Sequence, residues 1–420
     1  MDIWLLWEIP RQSATFIKEK ITMERDSMRL PKVLRRLKPL VAHQLEMFLL
    51  WYYSATAKQR RPKHETGRIL LARTDGLGDF IIWLSCAQKF RELYPDKKIV
   101  VMLDSIKPTL ELVQEMPQWF DEVFNIDIHN YTRFFEFRKM QKMEFDLLIQ
   151  PAYSRVAFTD ILVFACKAGK RITLDTNAKF LSRTQLKWTN RGYDQIIPAS
   201  SGIKHELIRC GELIRGLGDE SFQVGFPDLR EDNSNKGHYF VGFPAASGPT
   251  KIWEPEKYAR VLDAIIEKSG WDCILSGGQA DSVLIEEVIS NMKHAETVKN
   301  YAGCCSLAQT IHLLNGSRMA IGNDTGAMHM AVACRLPSVV LMGDNELGRF
   351  FPYTCEKDEK LPLWVVDANL ECKGCNAMKD VPCKYPFGER GTYYCIASIT
   401  VEKCMEAVNQ CLEWVRKNER

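Results

Sequence analysis

The 420-residue chain has no apolar run long enough to cross a bilayer. The longest near its front, Met47 to Tyr53, is far short of the roughly 20 residues a spanning helix needs. It also lacks the start of a secretory leader. Met1 to Pro10 is apolar, but no basic residue precedes that run and Glu8 interrupts it. No internal repeat and no low-complexity tract is visible. These absences predict a cytoplasmic protein, and the fourteen cysteines then read as reduced thiols rather than a disulfide scaffold. The net charge is +3, and nucleic acid is not an expected partner, because the basic residues near the front are mixed with leucines and aromatics, which suits a membrane surface better. What remains is an ordinary globular composition, 46% hydrophobic and 26% charged, with material for two cores.

The charge is unevenly spread. Residues 1–66 carry thirteen Lys and Arg against seven Asp and Glu, and the rest of the chain is mildly acidic. The basic residues are mixed with leucines and aromatics. Val33, Leu34, Leu37, Leu40, Val41 and Leu45 recur at helical spacing after a break at Pro31, and Lys58 to Lys63 reads as a charged linker. This pattern predicts a basic amphipathic helical extension over 1–66. It either docks on the body as an accessory subdomain or meets an anionic membrane surface.

Two segments of alternating strands and helices follow. In the first, 67–236, Arg68–Arg73, Ile99–Leu103 and Asp146–Ile149 read as buried parallel strands. In the second, 237–400, the strands are His238–Phe243, Cys273–Leu275, Arg318–Gly322 and Ser338–Met342, with a helix opening at Glu254-Pro255. The tail, 401–420, is amphipathic and predicts a helix packing back on the body. Two α/β domains in tandem make a cleft, with ligands at the carboxyl ends of the strands.

Three loops carry chemistry. The first, Thr74 to Asp79, places Gly76 and Gly78 between a strand and a helix, where they allow a tight turn and close approach of a ligand. A dinucleotide fingerprint would need a third glycine at position 81, which is Ile81. Asp79 begins the helix; on spacing alone it complements the helix dipole more readily than it does chemistry. The second loop contains Asn323, Asp324, Thr325, Gly326 and His329. Backbone amides at that helix start suit a diphosphate without a metal, with the Thr325 hydroxyl beside them and Gly326 permitting close approach. Asp324 reads equally as a helix cap, and His329 as a buried neutral ring or a phosphate contact. The third loop, Ser247 to Trp253, brings Lys251, which suits a leaving phosphate but alone is as readily a solvated charge.

Taken together, Leu77-Gly78-Asp79 after a strand, Lys251-Ile252-Trp253 after a central strand, and Gly322 to His329 resemble glycosyltransferase family 9, the ADP-heptose:lipopolysaccharide heptosyltransferases, over roughly residues 67–415. The resemblance implies the GT-B fold, two parallel-sheet domains of dinucleotide-fold type facing a cleft, acceptor side first and donor side second. It implies Asp79 as catalytic base, Lys251 on the donor phosphates, and Asp324, Thr325, Gly326 and His329 as the donor-binding motif. Gln279 and Asp281, after Gly277-Gly278, fall where the family holds the nucleoside. The loop Gly343 to Glu346 departs from the family's Gly-Pro-Thr, which leaves the donor sugar open.

The activity so implied is an inverting, metal-independent transfer of a sugar, heptose from ADP-heptose, to a lipopolysaccharide-core or other lipid-linked or oligosaccharide acceptor. It needs no catalytic cofactor, and the enzyme would lie peripherally on the inner face of the inner membrane. Near the end, Cys372, Cys375, Cys383 and Cys395 suit a structural Zn²⁺ or iron; the alternative is packed, reduced thiols. Members of the family resemble this chain in such a cluster, and it is the one feature that favours a protein rather than a glycan acceptor. Acceptor-independent turnover would favour an epimerase or hydrolase of the same fold, and no turnover a sugar-nucleotide-binding protein.

Overall fold

The structure, a computed structural model, describes residues 32–127, 134–231, 236–375, 383–388 and 390–418. Two compact units divide the chain, Met1–Leu49 and Leu50–Arg420. The helix α1, Lys32–Thr56, begins in the first and ends in the second; the expected break at Pro31 lies outside the described residues. Among the described residues no helix is long and apolar enough to cross a membrane.

The second unit holds two six-stranded sheets, parallel throughout. The first contains β1 (Arg68–Ala72), β2 (Lys98–Asp104), β3 (Glu122–Ile126), β4 (Glu144–Gln150), β5 (Lys167–Leu174) and β6 (Gln195–Ile197), in the order β3-β2-β1-β4-β5-β6. The second contains β7 (Tyr239–Phe243), β8 (Asp272–Gly277), β9 (Val298–Ala302), β10 (Ala320–Asn323), β11 (Ser338–Leu341) and β12 (Leu363–Val366), in the order β12-β11-β10-β7-β8-β9. The winding is the same in both. Each sheet starts at its centre, grows three strands one way, then crosses back to lay its fourth strand beside its first. The central strands β1, β7 and β10 are almost wholly buried, which is why they read as unbroken apolar runs.

Helices follow from the same patterning. Helix α2 (Leu77–Leu93) buries Phe80, Ile81, Trp83, Ala87 and Phe90. Helix α3 (Glu206–Gly216) packs beside it. Helix α4 (Pro255–Ser269) starts on its proline, as the sequence predicts, and stops at Gly270, whose left-handed φ of 70° closes the last turn. Helix α5 (Gly326–Ala333) follows β10 directly. The tail forms α6 (Val401–Asn418). Its Val408, Cys411, Leu412 and Val415 join Tyr258, Leu262 and Ile265 of α4 in one apolar cluster over the second sheet. All fourteen cysteines are free thiols. A larger cluster is continuous between the halves, joining Phe80 and Trp83 of α2 to Met328 and Met330 of α5 and to Phe351.

One expected element behaves differently. The charged stretch 58–63 does not run free. Arg61 grips both oxygens of Asp194, at 3.0 and 2.7 Å, and donates to the carbonyls of Ala168 and Gly169. The Arg60 carbonyl accepts from the Ala168 amide and from the buried Arg171. Guanidinium groups meeting strand-edge carbonyls fasten this stretch to the first sheet.

Candidate active site

The crossing-back point of each sheet leaves a crevice between the first and fourth strands, because the loops there turn apart; ligands of such sheets bind at that point. Here the loops after β1, β7 and β10 meet. A cavity of about 560 Å³ is lined by Gly76 to Asp79 from the first sheet and by Lys251, Asp281, Asp324, Thr325 and Gly326 from the second. A neighbouring cavity of about 500 Å³ is lined by Arg73, Asp75, Lys179, Glu206, Glu346 and Arg349, among others. Asp79, Lys107 and Lys251 line both.

On the first-sheet side, Asp79 sits in the first turn of α2, whose cap residue Gly76 offers no side-chain bond. The carboxylate complements the helix dipole, and Asp79 lines both cavities. Its loop is set from below by Arg73, nearly buried, which donates to the Asp79 carbonyl at 2.8 Å and pairs with Asp75 at 2.9 Å. Asp75 was not singled out in the sequence. Burial, offset by Arg73 and reinforced by the Asp79 charge, pushes its carboxyl up to about 7.

On the second-sheet side, the cap of α5 is Thr325, not Asp324. The Asp324 carboxylate points instead to Lys251, at 2.8 Å, and lies 3.7 Å from Nε2 of His329. Burial alone would raise this carboxyl; Lys251 and then His329 outweigh it and hold Asp324 well below the usual carboxylate range. Thr325 lines the cavity, and its hydroxyl is buried with no hydrogen-bond partner among the described residues. It stands at the start of α5, where the Met328 and His329 amides bond the Thr325 carbonyl and the Gly326 and Ala327 amides have no carbonyl of the helix behind them, which suits an anionic ligand. His329 is buried: its ring stacks on Phe351 with centroids 4.5 Å apart, and Nδ1 lies 2.8 Å from the Tyr353 hydroxyl. His329 is nonetheless one of the residues lining the cavity.

Lys251 lies in a short turn, Pro249–Lys251. It pairs with Asp324 and, at 2.7 Å, with Glu346. Burial works against its charge, but the two carboxylates overcome it and keep the ammonium protonated well above the usual lysine range.

Two glycines have an additional reason to be glycine. A Cβ on Gly78 would stand 2.6 Å from the His329 ring, and one on Gly326 would stand 2.9 Å from Leu77. The starts of α2 and α5 therefore abut, each needing the other's missing side chain. The space read as room for a ligand is, at these two positions, filled by the opposite half.

Of the two residues expected at the nucleoside, Asp281 borders the cavity and accepts from the Gly278 amide at 2.8 Å, capping its own turn. Gln279 does not line it. Gln279 is exposed and lies over Gly303, whose left-handed φ of 70° and missing Cβ make room for it. The four-strong cysteine set is not assembled either: among the described residues no three His, Cys, Asp or Glu groups stand close enough to hold a metal. Residues 376–382, between Cys375 and Cys383, lie outside the described residues. The thiols nonetheless share neighbours. Cys375, Cys383 and Cys395 all act electrostatically on Tyr393, and Cys372 and Cys383 on Tyr385. Cys395 is buried, which pushes its thiol up to about 11. This region braces the site: Tyr393 donates its amide to the Thr250 carbonyl, and Gly374 to that of Asp344.

Sequence reasoning also passed over Glu346, Lys179, Arg349, Glu206 and Lys107. Glu346 bridges Lys251 to Lys179, at 2.7 Å each, and Arg349 pairs with Glu206 at 2.5 Å. The only signal was negative, that the loop at 343–346 departs from its family's pattern. Lys107 has no ion-pair partner among the described residues and faces both cavities.

Comparison with known proteins supports the fold and the family. The family model described as glycosyltransferase family 9 (heptosyltransferase) matches residues 219–375. Lipooligosaccharide heptosyltransferase 2 of Haemophilus influenzae is 31% identical over 361 residues, covering 82% of this chain and 99% of the relative. Among solved structures, the family 9 glycosyltransferase of Veillonella parvula superposes with a TM-score of 0.64 at 18% identity, covering 84% of this chain and 99% of its own. The ADP-heptose lps heptosyltransferase II of Escherichia coli does so with a TM-score of 0.59 at 17% identity, covering 83% and 99%.

Proposed function

Since the chain belongs to glycosyltransferase family 9, the heptosyltransferases, we propose that it moves heptose from ADP-heptose to a hydroxyl of a lipopolysaccharide-core or related surface-glycan acceptor, inverting the anomeric carbon. The observation that carries this is the larger cavity, lined both by Asp79 of one half and by Thr325 and Lys251 of the other. In this reading the half at 67–236 holds the acceptor and the half at 237–400 the donor.

The acceptor hydroxyl is a weak nucleophile and must shed its proton as it attacks. Asp79 takes that proton when it lies within about 2.6–3.2 Å of the hydroxyl. The oxygen attacks the anomeric carbon from the face opposite the diphosphate. The C–O bond to phosphate breaks with its electron pair leaving on the nucleoside diphosphate. Lys251, the Thr325 hydroxyl and the first amides of α5 meet that growing charge, so no metal ion is required for the step. Asp281 is assigned to the nucleoside end and His329 to the phosphate edge of the pocket. Lys107, which has no carboxylate partner among the described residues, suits an anionic group on the acceptor.

A thermal-shift panel of ADP-, UDP-, GDP- and dTDP-sugars tests the donor, because a ligand bound to the native state raises its melting point by mass action. ADP-heptose should lead; no response to any of the four would sink the assignment. Transfer should persist in EDTA.

Two features extend the reading. Cys372, Cys375, Cys383 and Cys395 are assigned to a structural Zn²⁺ or iron, supported by their common neighbours Tyr385 and Tyr393. About one metal per chain in the purified protein supports this, and metal-free protein of full stability rejects it. The basic front segment is assigned to the cytoplasmic face of a membrane, supported by the exposed Leu45, Phe48, Trp51 and Tyr52 of α1. Removing residues 1–49 should shift the protein from membrane pellet to supernatant.

A further inference from the structure

Resting on the donor assignment above, we infer that Glu346 is a positioning residue: it holds Lys251 and Lys179 on one carboxylate and so sets the phosphate-binding lysine relative to the half that carries Asp79. Its two oxygens are divided between the halves. Oε2 takes Lys251 of the second half at 2.7 Å, and Oε1 takes Lys179 of the first half at 2.7 Å, with Arg349 a further contact at 3.8 Å. The Glu346 side chain is 6% exposed and Lys179 12%, so water screens neither pair strongly. Lys179 is itself fixed, its amide donating to Asn177 at 3.0 Å in the segment that follows β5. Arg349, three residues beyond Glu346, pairs with Glu206 and donates to Ser154 at 2.6 Å, both in the first half. One loop of the second sheet thus carries two charged side chains, each with a partner in the first half.

The arrangement has a cost that gives it a signature. Lys251 already has two carboxylates, Asp324 and Glu346. An arriving diphosphate must compete with both for the same ammonium. Glu346 therefore opposes donor binding while it fixes where Lys251 stands. A residue that merely supported the loop would favour binding and turnover together.

The test uses the full-length protein, ADP as the binding probe in calorimetric titration, and transfer from ADP-heptose to a core oligosaccharide prepared from heptose-deficient lipopolysaccharide. Glu346→Gln keeps the shape and removes the charge. It should bind ADP several-fold more tightly than wild type and lower kcat on the order of tenfold to a hundredfold, the scale of a small misplacement of a reacting group. Lys179→Met should lower kcat similarly without tightening ADP. The double variant should be no slower than Glu346→Gln alone, because both break one link. Equal or weaker ADP binding by Glu346→Gln overturns the inference, as do kcat losses that multiply in the double variant. A ligand-free urea cycle of Lys179→Met and Glu346→Gln decides the link by itself. A coupling of about fivefold or more in the folding equilibrium supports it, and strict additivity overturns it. If wild-type protein binds no ADP, the donor assignment fails, and the urea cycle still decides the link.

Discussion

The loop after β1, the first strand of its sheet, and the loop after β10, the fourth of the other, both open on the crossing-back crevice, yet they treat their carboxylates in opposite ways. In the first, Asp75 is pushed up to about 7, because burial beside Asp79 outweighs its bond to Arg73. In the second, Asp324 is held well below the usual range, because Lys251 and His329 outweigh burial. Topology supplies a crevice and a helix start in both. The partner of each carboxylate decides its use: a loop with spare negative charge suits taking a proton, and one that fixes its carboxylate on a lysine suits holding phosphate.

That contrast can be broken at several points. Asp79→Asn should have the largest effect, a loss in kcat of about 10²–10⁴-fold with ADP affinity little changed, measured with saturating donor. Lys251→Met should lower kcat by about 10²–10³-fold and also weaken ADP, because its charge serves the leaving group in both states. Gly78→Ala and Gly326→Ala should each lower stability by about 1–3 kcal/mol in urea melts, since the added carbon meets His329 or Leu77. If either variant melts like wild type, the two helix starts do not abut in solution.

The contrast can also be read in pH. A carboxyl raised in the folded state binds its proton more tightly there than when unfolded. The stability Asp75 adds is therefore full below about pH 4 and is lost as pH rises towards 7, by at most about 1.4 kcal/mol per unit. Asp324 runs the other way: its contribution is present above about pH 4 and is lost as pH falls below it. Urea melts of Asp75→Asn and wild type between pH 4.5 and 7 should diverge with that sign; parallel curves would remove Asp75 from the contrast.

Much of this was legible in the sequence. The central strands are buried on both faces, so β1, β7, β10 and β11 stand out as apolar runs, and the loops after β1, β7 and β10 carry glycine, aspartate and lysine at visible spacing. Other elements were hidden for physical reasons. Strand β5 reads Lys-Ala-Gly-Lys-Arg-Ile-Thr-Leu, polar enough to pass as a loop, because Arg171 is fully buried against the carbonyls of Arg60 and Cys166. The pairing of Lys179 with Glu346 joins positions 167 residues apart, and no local pattern announces it. Gln279 sits near glycines, as the family's nucleoside contacts do, but its side chain turns to fill the space over Gly303.

The mutual notch at the start of α2 and α5 bears on how this chain can evolve. Leu77 fills the hollow at Gly326, and His329 fills the hollow at Gly78. A lineage that enlarges residue 78 must shrink residue 329 in the same step, and likewise for 326 and 77. The four positions are therefore expected to drift as two linked pairs, and each pair has one member in either lobe.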